Sequence, residues 1–198
     1  MKRLLCLLPL ALLFIGCSDD NKGTNPTQTQ EVWPLKVGNQ WVGEDTEVDS
    51  AGNILRVDTT VLAVSKDTVI GGERWYIITV NGNRDPEVPI LASRSDGLWA
   101  GGPSGGLFLK YPAAVNDTFM MGSQVVVVES VHDTVTVPAG TFVCLNYKWP
   151  EPSTSERPYQ LHYYSPGIGG IKAVEYRKTA GGYIYPNFQS VLISYTLH

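Results

Sequence analysis

Past residue 31 the apolar positions repeat mostly every second residue. Leu55-Arg56-Val57-Asp58-Thr59-Thr60-Val61-Leu62-Ala63 alternates before turning more apolar. Arg74–Val80, Gln124–Val131, Thr141–Trp149, Gln160–Tyr164, Ile171–Arg177 and Tyr183–Leu197 are rich in Val, Ile, Thr and aromatics, and Gly, Pro, Asn and Asp punctuate them. A period of two with turn residues at short intervals predicts antiparallel strands. Only Ala113–Met121 offers a helical stretch, and Asn116-Asp117 weakens it. The expected fold is therefore all-β: an antiparallel meander forming a curved sheet, half-barrel or sandwich.

The register of one hairpin follows from its turn. With Ala51 and Gly52 at the centre of its turn, Val42 faces Val61, Thr46 faces Val57 and Val48 faces Leu55, and these are assigned to the inner face. Glu47 then meets Arg56, a favourable pair, and Asp45 meets Asp58, an unfavourable one unless screened. The chain also echoes itself. Trp33-Pro34-Leu35-Lys36-Val37-Gly38-Asn39-Gln40-Trp41 and Tyr111-Pro112-Ala113-Ala114-Val115-Asn116-Asp117-Thr118-Phe119 both read aromatic, Pro, two residues, Val, two turn residues, spacer, aromatic. Either a β unit is duplicated or two turns converge on one solution. Both alternatives bury Trp41 and Phe119 beside a turn.

The start of the chain follows another pattern. Lys2 and Arg3 precede an apolar run, Leu4–Ile15, broken only by Pro9. At about 12 residues it is too short to span a bilayer, which needs about 20. It has the charged start, apolar middle and small-residue exit of a secretory signal. Phe14-Ile15-Gly16-Cys17 resembles the lipobox of bacterial lipoproteins, with Phe14 where Leu is commonest. The resemblance implies cleavage before Cys17 and acylation there, by chains such as palmitate. Each buried methylene contributes about 0.8 kcal/mol to such an anchor. The expected division is signal peptide 1–16, lipidated Cys and tether 17–31, and one β domain 32–198. The polar tether cannot bury a core; its 14 residues from Ser18 reach roughly 46 Å when extended. Ser18 directly after the Cys implies the outer membrane by resemblance to enterobacterial-type lipoproteins. Asp19-Asp20 also resembles the surface-export signal of Bacteroidetes-type lipoproteins, so the leaflet stays open.

The signal changes the charge and cysteine accounts. The whole chain carries 15 Lys plus Arg against 19 Asp plus Glu, a net charge of −4; without Lys2 and Arg3 the basic count is 13 and the net charge −6. An acidic domain argues against a nucleic-acid partner. Cys6 leaves with the signal and Cys17 is the anchor, so Cys144 stands alone in a strand pattern and reads as a buried, inert thiol. The domain must then stand on its core.

A second resemblance covers most of the domain. Val137-Pro138-Ala139-Gly140-Thr141-Phe142, Tyr164-Ser165-Pro166-Gly167-Ile168-Gly169-Gly170-Ile171-Lys172 and Val37-Gly38-Asn39-Gln40-Trp41 are similar to segments of bacterial envelope lipoproteins of uncharacterised activity. The resemblance implies a fold family and no activity. Comparable domains, such as lipoprotein carriers of the LolA and LolB kind, form curved sheets or half-barrels.

Candidate chemistry is sparse. No HExxH, CxxC, calcium-loop, Gly-x-Ser-x-Gly or phosphate-loop pattern occurs, so neither metal nor cofactor is expected. Gly101-Gly102-Pro103-Ser104-Gly105-Gly106 reads as a loop. His132, Asp133 and His162 would have to converge in a cleft to support the alternative activity, an envelope hydrolase acting on polysaccharide or ester substrates. Asp45, Glu47 and Asp49 share one strand face, which more often keeps a sheet soluble than cuts a glycosidic bond. Eight of the ten tyrosines lie from Tyr147 onward. Trp149, Tyr163, Tyr164, Tyr183 and Tyr185 are the candidate ligand-binding residues, because such rings combine apolar area with a polar tip. Trp149–Pro158 reads as a Pro-rich connection. The favoured expectation is a non-catalytic binding or structural protein, its partners the membrane through Cys17 and an apolar ligand or protein.

Overall fold

A computed structural model describes residues 31–84, 89–150 and 156–198. The signal segment, Cys17, the tether up to residue 30 and the middle of the Trp149–Pro158 connection lie outside the described residues. Glu31, the last residue of the expected tether, is tied to the domain. Its carbonyl accepts from Gly167 N at 2.7 Å and its carboxylate from Leu35 N at 3.1 Å.

Twelve strands follow in chain order: β1 (Gln40–Val48), β2 (Ile54–Ile70), β3 (Glu73–Val80), β4 (Leu91–Arg94), β5 (Gly97–Ala100), β6 (Gly106–Lys110), β7 (Thr118–Met121), β8 (Gln124–Val137), β9 (Gly140–Pro150), β10 (Tyr159–Ser165), β11 (Gly169–Lys178) and β12 (Ile184–Thr196). No helix occurs among the described residues; Ala113–Met121 forms a turn and β7. All the strands join one antiparallel sheet in the order β6-β5-β4-β3-β2-β1-β12-β11-β10-β9-β8-β7. The chain meanders throughout, and the pairing of β1 with β12 curls the sheet into a nearly closed barrel. Its seam falls between β6 and β7, the only consecutive strands that share no ladder. Tyr147 Oη on β9 donates to Lys110 O at the end of β6, at 2.8 Å, and Lys110 Nζ lies 3.0 Å from Asp117 just before β7.

The internal echo is a repeat of geometry. In the first copy Gly38 N donates to Val64 O, Asn39 N to Lys36 O and Val64 N to Asn39 O. In the second, Asn116 N donates to Val128 O, Asp117 N to Ala114 O and Val128 N to Asp117 O. Gly38 and Asn116 both take positive φ, 97° and 70°. The ladders repeat as well: Trp41↔Leu62, Val42↔Val61 and Gly43↔Thr60 correspond to Phe119↔Val126, Met120↔Val125 and Met121↔Gln124. Trp41 and Phe119 are both buried. The copies then diverge. Between Gly43 and Thr60 the first runs on through a long hairpin, whereas a tight turn joins Met121 to Gln124. In β8 a bulge around Val131-His132 interrupts the ladder before Asp133.

The register of β1 with β2 runs as expected from Val42↔Val61 through Asp45↔Asp58 to Glu47↔Arg56. Two details differ. Gly52 N donates to Asp49 O and Gly52 has φ 84°; this turn with its glycine bulge shifts the last pair to Val48↔Ile54. The faces are also inverted. Trp41 takes the inner side, so a period of two sends Val42, Thr46 and Val48 outward with Leu55, 62% exposed, and Val57, 51% exposed. Arg56 does not bridge to Glu47 but to Asp58 on its own strand, at 2.8 Å. That contact and the Thr60 hydroxyl on Asp45, at 2.5 Å, relieve the Asp45–Asp58 opposition.

Candidate functional site

The interior is spanned by aromatic rings in edge or tilted contact. Trp41 meets Trp33 at 5.4 Å and 86°, Trp33 meets Tyr164 at 5.9 Å, Tyr164 meets Tyr147 at 5.9 Å and 75°, and Tyr147 meets Phe119 at 6.1 Å and 85°. The chain of rings links the two repeated plugs, each contact adding about 0.5–1.5 kcal/mol beyond area burial. Burial drives the Tyr147 and Tyr164 hydroxyls well above the usual phenol range.

The three segments that carry the lipoprotein resemblance meet around this chain. The Ser165–Gly169 turn accepts Trp41 Nε1 on Ile168 O at 2.6 Å. Trp33 lies against Gly169, where a Cβ would sit 2.7 Å from its ring. The Val137–Gly140 turn reaches β12 through Ala139 N to Leu192 O, at 3.2 Å, and Phe142 packs on Tyr195. Asn39, 1% exposed, donates to Pro34 O and accepts from His198 N. The segment 37–41 is thus the lead-in to β1, and the other two are the turns into β9 and β11.

Beside the Trp33–Trp41–Tyr164 corner opens a pocket of ≈ 130 Å³. Its apolar floor is formed by Trp33, Trp41, Leu62, Tyr164, Ile171 and Leu192, and its wall by Gly43, Thr60, His162, Ala173 and Ser190. The ladders explain the hollow. Gly43 pairs with Thr60, Ser190 with Ala173, and Ala173 with His162. Small side chains on adjacent rows of β1, β12 and β11 thus leave space that larger ones would fill; the equivalent of Gly43 in the second copy is Met121. The next positions outward on the same face are Asp45, Glu47, Glu175 and Gln160, with Phe188 among them, so the apolar floor sits beneath four polar side chains and one ring. His162 stacks on Trp149 at 3.9 Å and 22°, and its Nε2 lies 3.0 Å from Gln160 Oε1. Loss of hydration lowers its pKa to about 4, so the imidazole is neutral near pH 7.

The sequence-predicted residues are dispersed around this pocket. Tyr164 lines it, and Trp149 supports it through His162. Tyr163 lies on the opposite face from His162, in a second hollow with Asp133, Thr134 and Lys172, the last of which also borders the first pocket. Tyr183 and Tyr185 stack on each other at 6.1 Å and 10° at the β11–β12 turn, with Tyr183 61% exposed. His132 borders a broader groove of ≈ 510 Å³ with Tyr111, Pro112 and Leu145. His132, Asp133 and His162 thus face three different hollows and do not assemble. Cys144 is buried, and burial pushes its thiol up to about 12, far from a thiolate nucleophile. No metal-holding cluster occurs among the described residues. Among the pocket residues missed in the sequence are Trp33, Gly43, Ala173 and Ser190. Gly43 within a strand pattern was the available signal, since such a glycine marks a bulge or an opened space.

No protein-family model matches the chain, and no curated protein matches it. Among solved structures it is similar to a candidate exported protein with a YmcC-like fold from Bacteroides fragilis NCTC 9343, with 13% identity over 85% of this chain and 100% of that one and a TM-score of 0.50. It is also similar to a candidate lipoprotein from Parabacteroides distasonis ATCC 8503, with 16% identity over 85% of this chain and 99% of that one and a TM-score of 0.49. At such identities the likeness concerns the fold alone.

Proposed function

From the YmcC-like likeness of the fold, we propose that this chain is a non-catalytic envelope lipoprotein. In this reading it is anchored in the outer membrane at Cys17 and holds a small apolar group in the Trp33–Trp41–Tyr164 pocket. The export signal and lipobox-like Phe14–Cys17 support the address, as does the description of the Bacteroides fragilis protein as exported. The observation that carries the binding role is the cluster of small residues, Gly43, Ser190 and Ala173, which borders an aromatic-floored hollow. An engineered apolar cavity of about 150 Å³ accepts benzene, so the occupant matched here is a single ring or the end of an acyl chain. Burying such a group contributes about 2–3 kcal/mol, which corresponds to a dissociation constant on the order of 10 mM for the fragment alone.

Two measurements test the two halves of the proposal. Metabolic labelling with a palmitate analogue should mark the wild type and not Cys17→Ser; equal labelling of both removes the anchor. Titration with benzyl alcohol, followed by tryptophan fluorescence and NMR, should saturate for the wild type. Ala173→Leu, which fills the pocket, should abolish the response while keeping the β-sheet circular dichroism. An unchanged titration in that variant removes the pocket as the site.

A further inference from the structure

The long hairpin that distinguishes the first copy has an open edge. β3 pairs with β2 only from Leu62 onward, so the segment Ile54–Thr60 has a neighbour in β1 but no strand on its other side among the described residues. Residues 54–59 are all exposed, Ile54 by 66% and Leu55 by 62%. Its backbone orientation follows from what lies just beyond it. Val61 N donates to Asn81 Oδ1 and Val61 O accepts from Asn81 N, both at 2.8 Å, on the β3 side. Val64, of opposite parity, bonds to Asn39 and Gly38 on the β1 side. Alternate residues of a strand aim their backbone groups the same way, so Leu55, Val57 and Thr59 present theirs to the open side.

Exposed edges of this kind usually carry charges or bulges that repel another strand. Here the charges do the opposite. Arg56 and Asp58 flank Val57 symmetrically, with side chains 62% and 53% exposed. Set antiparallel against itself with Val57 on the twofold axis, the segment places Arg56 of each copy opposite Asp58 of the other. Leu55 then faces Thr59, and Val57 faces Val57. The backbone parity agrees with this register, because Val57 is a residue whose N–H and C=O point outward. The pairing would form about six new backbone hydrogen bonds and bury the Leu55–Val57–Thr59 face.

We propose that β2 is a homodimerisation edge: two copies of this chain join their sheets through antiparallel pairing of Ile54–Thr60 centred on Val57. The inference does not depend on the pocket or its ligand. A cysteine at the axis tests it in the full-length chain in its membrane. Val57→Cys should yield a disulfide-linked dimer on oxidation, at least tenfold above the wild-type background and above Ser104→Cys, an exposed control elsewhere. Leu55→Cys and Thr59→Cys should fail singly and cross-link when co-expressed, which reports the register. Arg56→Asp in the Val57→Cys background should lower the dimer yield at least tenfold, and adding Asp58→Arg should restore it. The proposal is overturned by a Val57→Cys yield no higher than the control, by indifference to charge reversal, or by cross-linking to a different protein instead of a second copy.

Discussion

His162 shows how one residue combines stability and recognition. Its ring lies under Trp149 and borders the pocket, and loss of hydration holds its pKa at about 4, below the 6.5 of an ordinary imidazole. Between those values the unfolded chain binds a proton that the folded chain refuses. Stability is therefore unpenalised above pH 6.5 and falls as pH drops toward 4, by at most about 3 kcal/mol. His162→Phe keeps a ring on Trp149 and has no proton to bind. Thermal unfolding from pH 7 to 4 should show a wild-type decline that is shallower in the variant; parallel profiles would contradict the assignment. The surroundings of this residue were not legible in the sequence. Trp149 reaches His162 from the neighbouring strand, and that contact depends on a register between β9 and β10 that local pattern does not specify.

At the scale of elements, the lead-in and the β10–β11 turn hold each other. Gly169 has φ 105°, and a Cβ there would sit 2.7 Å from the Trp33 ring. Gly52 in the β1–β2 turn has φ 84° but nothing within 4 Å of such a Cβ. Gly52→Ala should therefore cost only backbone strain, about 1–2 kcal/mol. Gly169→Ala should cost about 2 kcal/mol more, since it also displaces Trp33 from a close-packed site. Urea unfolding gives the difference, and a red-shifted tryptophan emission should accompany the second variant only; equal losses would mean that Trp33 is not seated on Gly169. The elements themselves show what pattern can carry. The β1–β2 register followed from a turn signal and alternating residues. Its inner face did not, because the valines outnumber Trp41 while Trp41 alone decides which side is inside. The short strands β4, β5 and β6 were missed, since four or five residues between glycine-rich turns offer too little periodicity.

For the whole molecule the decisive feature is where the barrel closes and where it does not. The pairing of β1 with β12 joins residues more than a hundred positions apart, so a meander was readable from the chain and its closure was not. The echo came nearest, because two equivalent lead-ins imply two equivalent halves, and the structure repeats their hydrogen bonds residue for residue. The halves meet by a full ladder at β1–β12 and by the seam at β6–β7. At that seam the Tyr147 hydroxyl bond to Lys110 O ties β9, in the second half, to the last residue of β6, in the first. Tyr147→Phe removes this donor with little change of shape, leaves a carbonyl short of a partner and should cost about 1–2 kcal/mol. The loss should also be local. Hydrogen exchange should quicken in β6 and β7, whose outer edges have no strand partner among the described residues, and stay unchanged in β1 and β12, which are paired on both sides. A uniform quickening across the sheet would mean instead that the two halves open together, with the seam no weaker than the rest of the barrel.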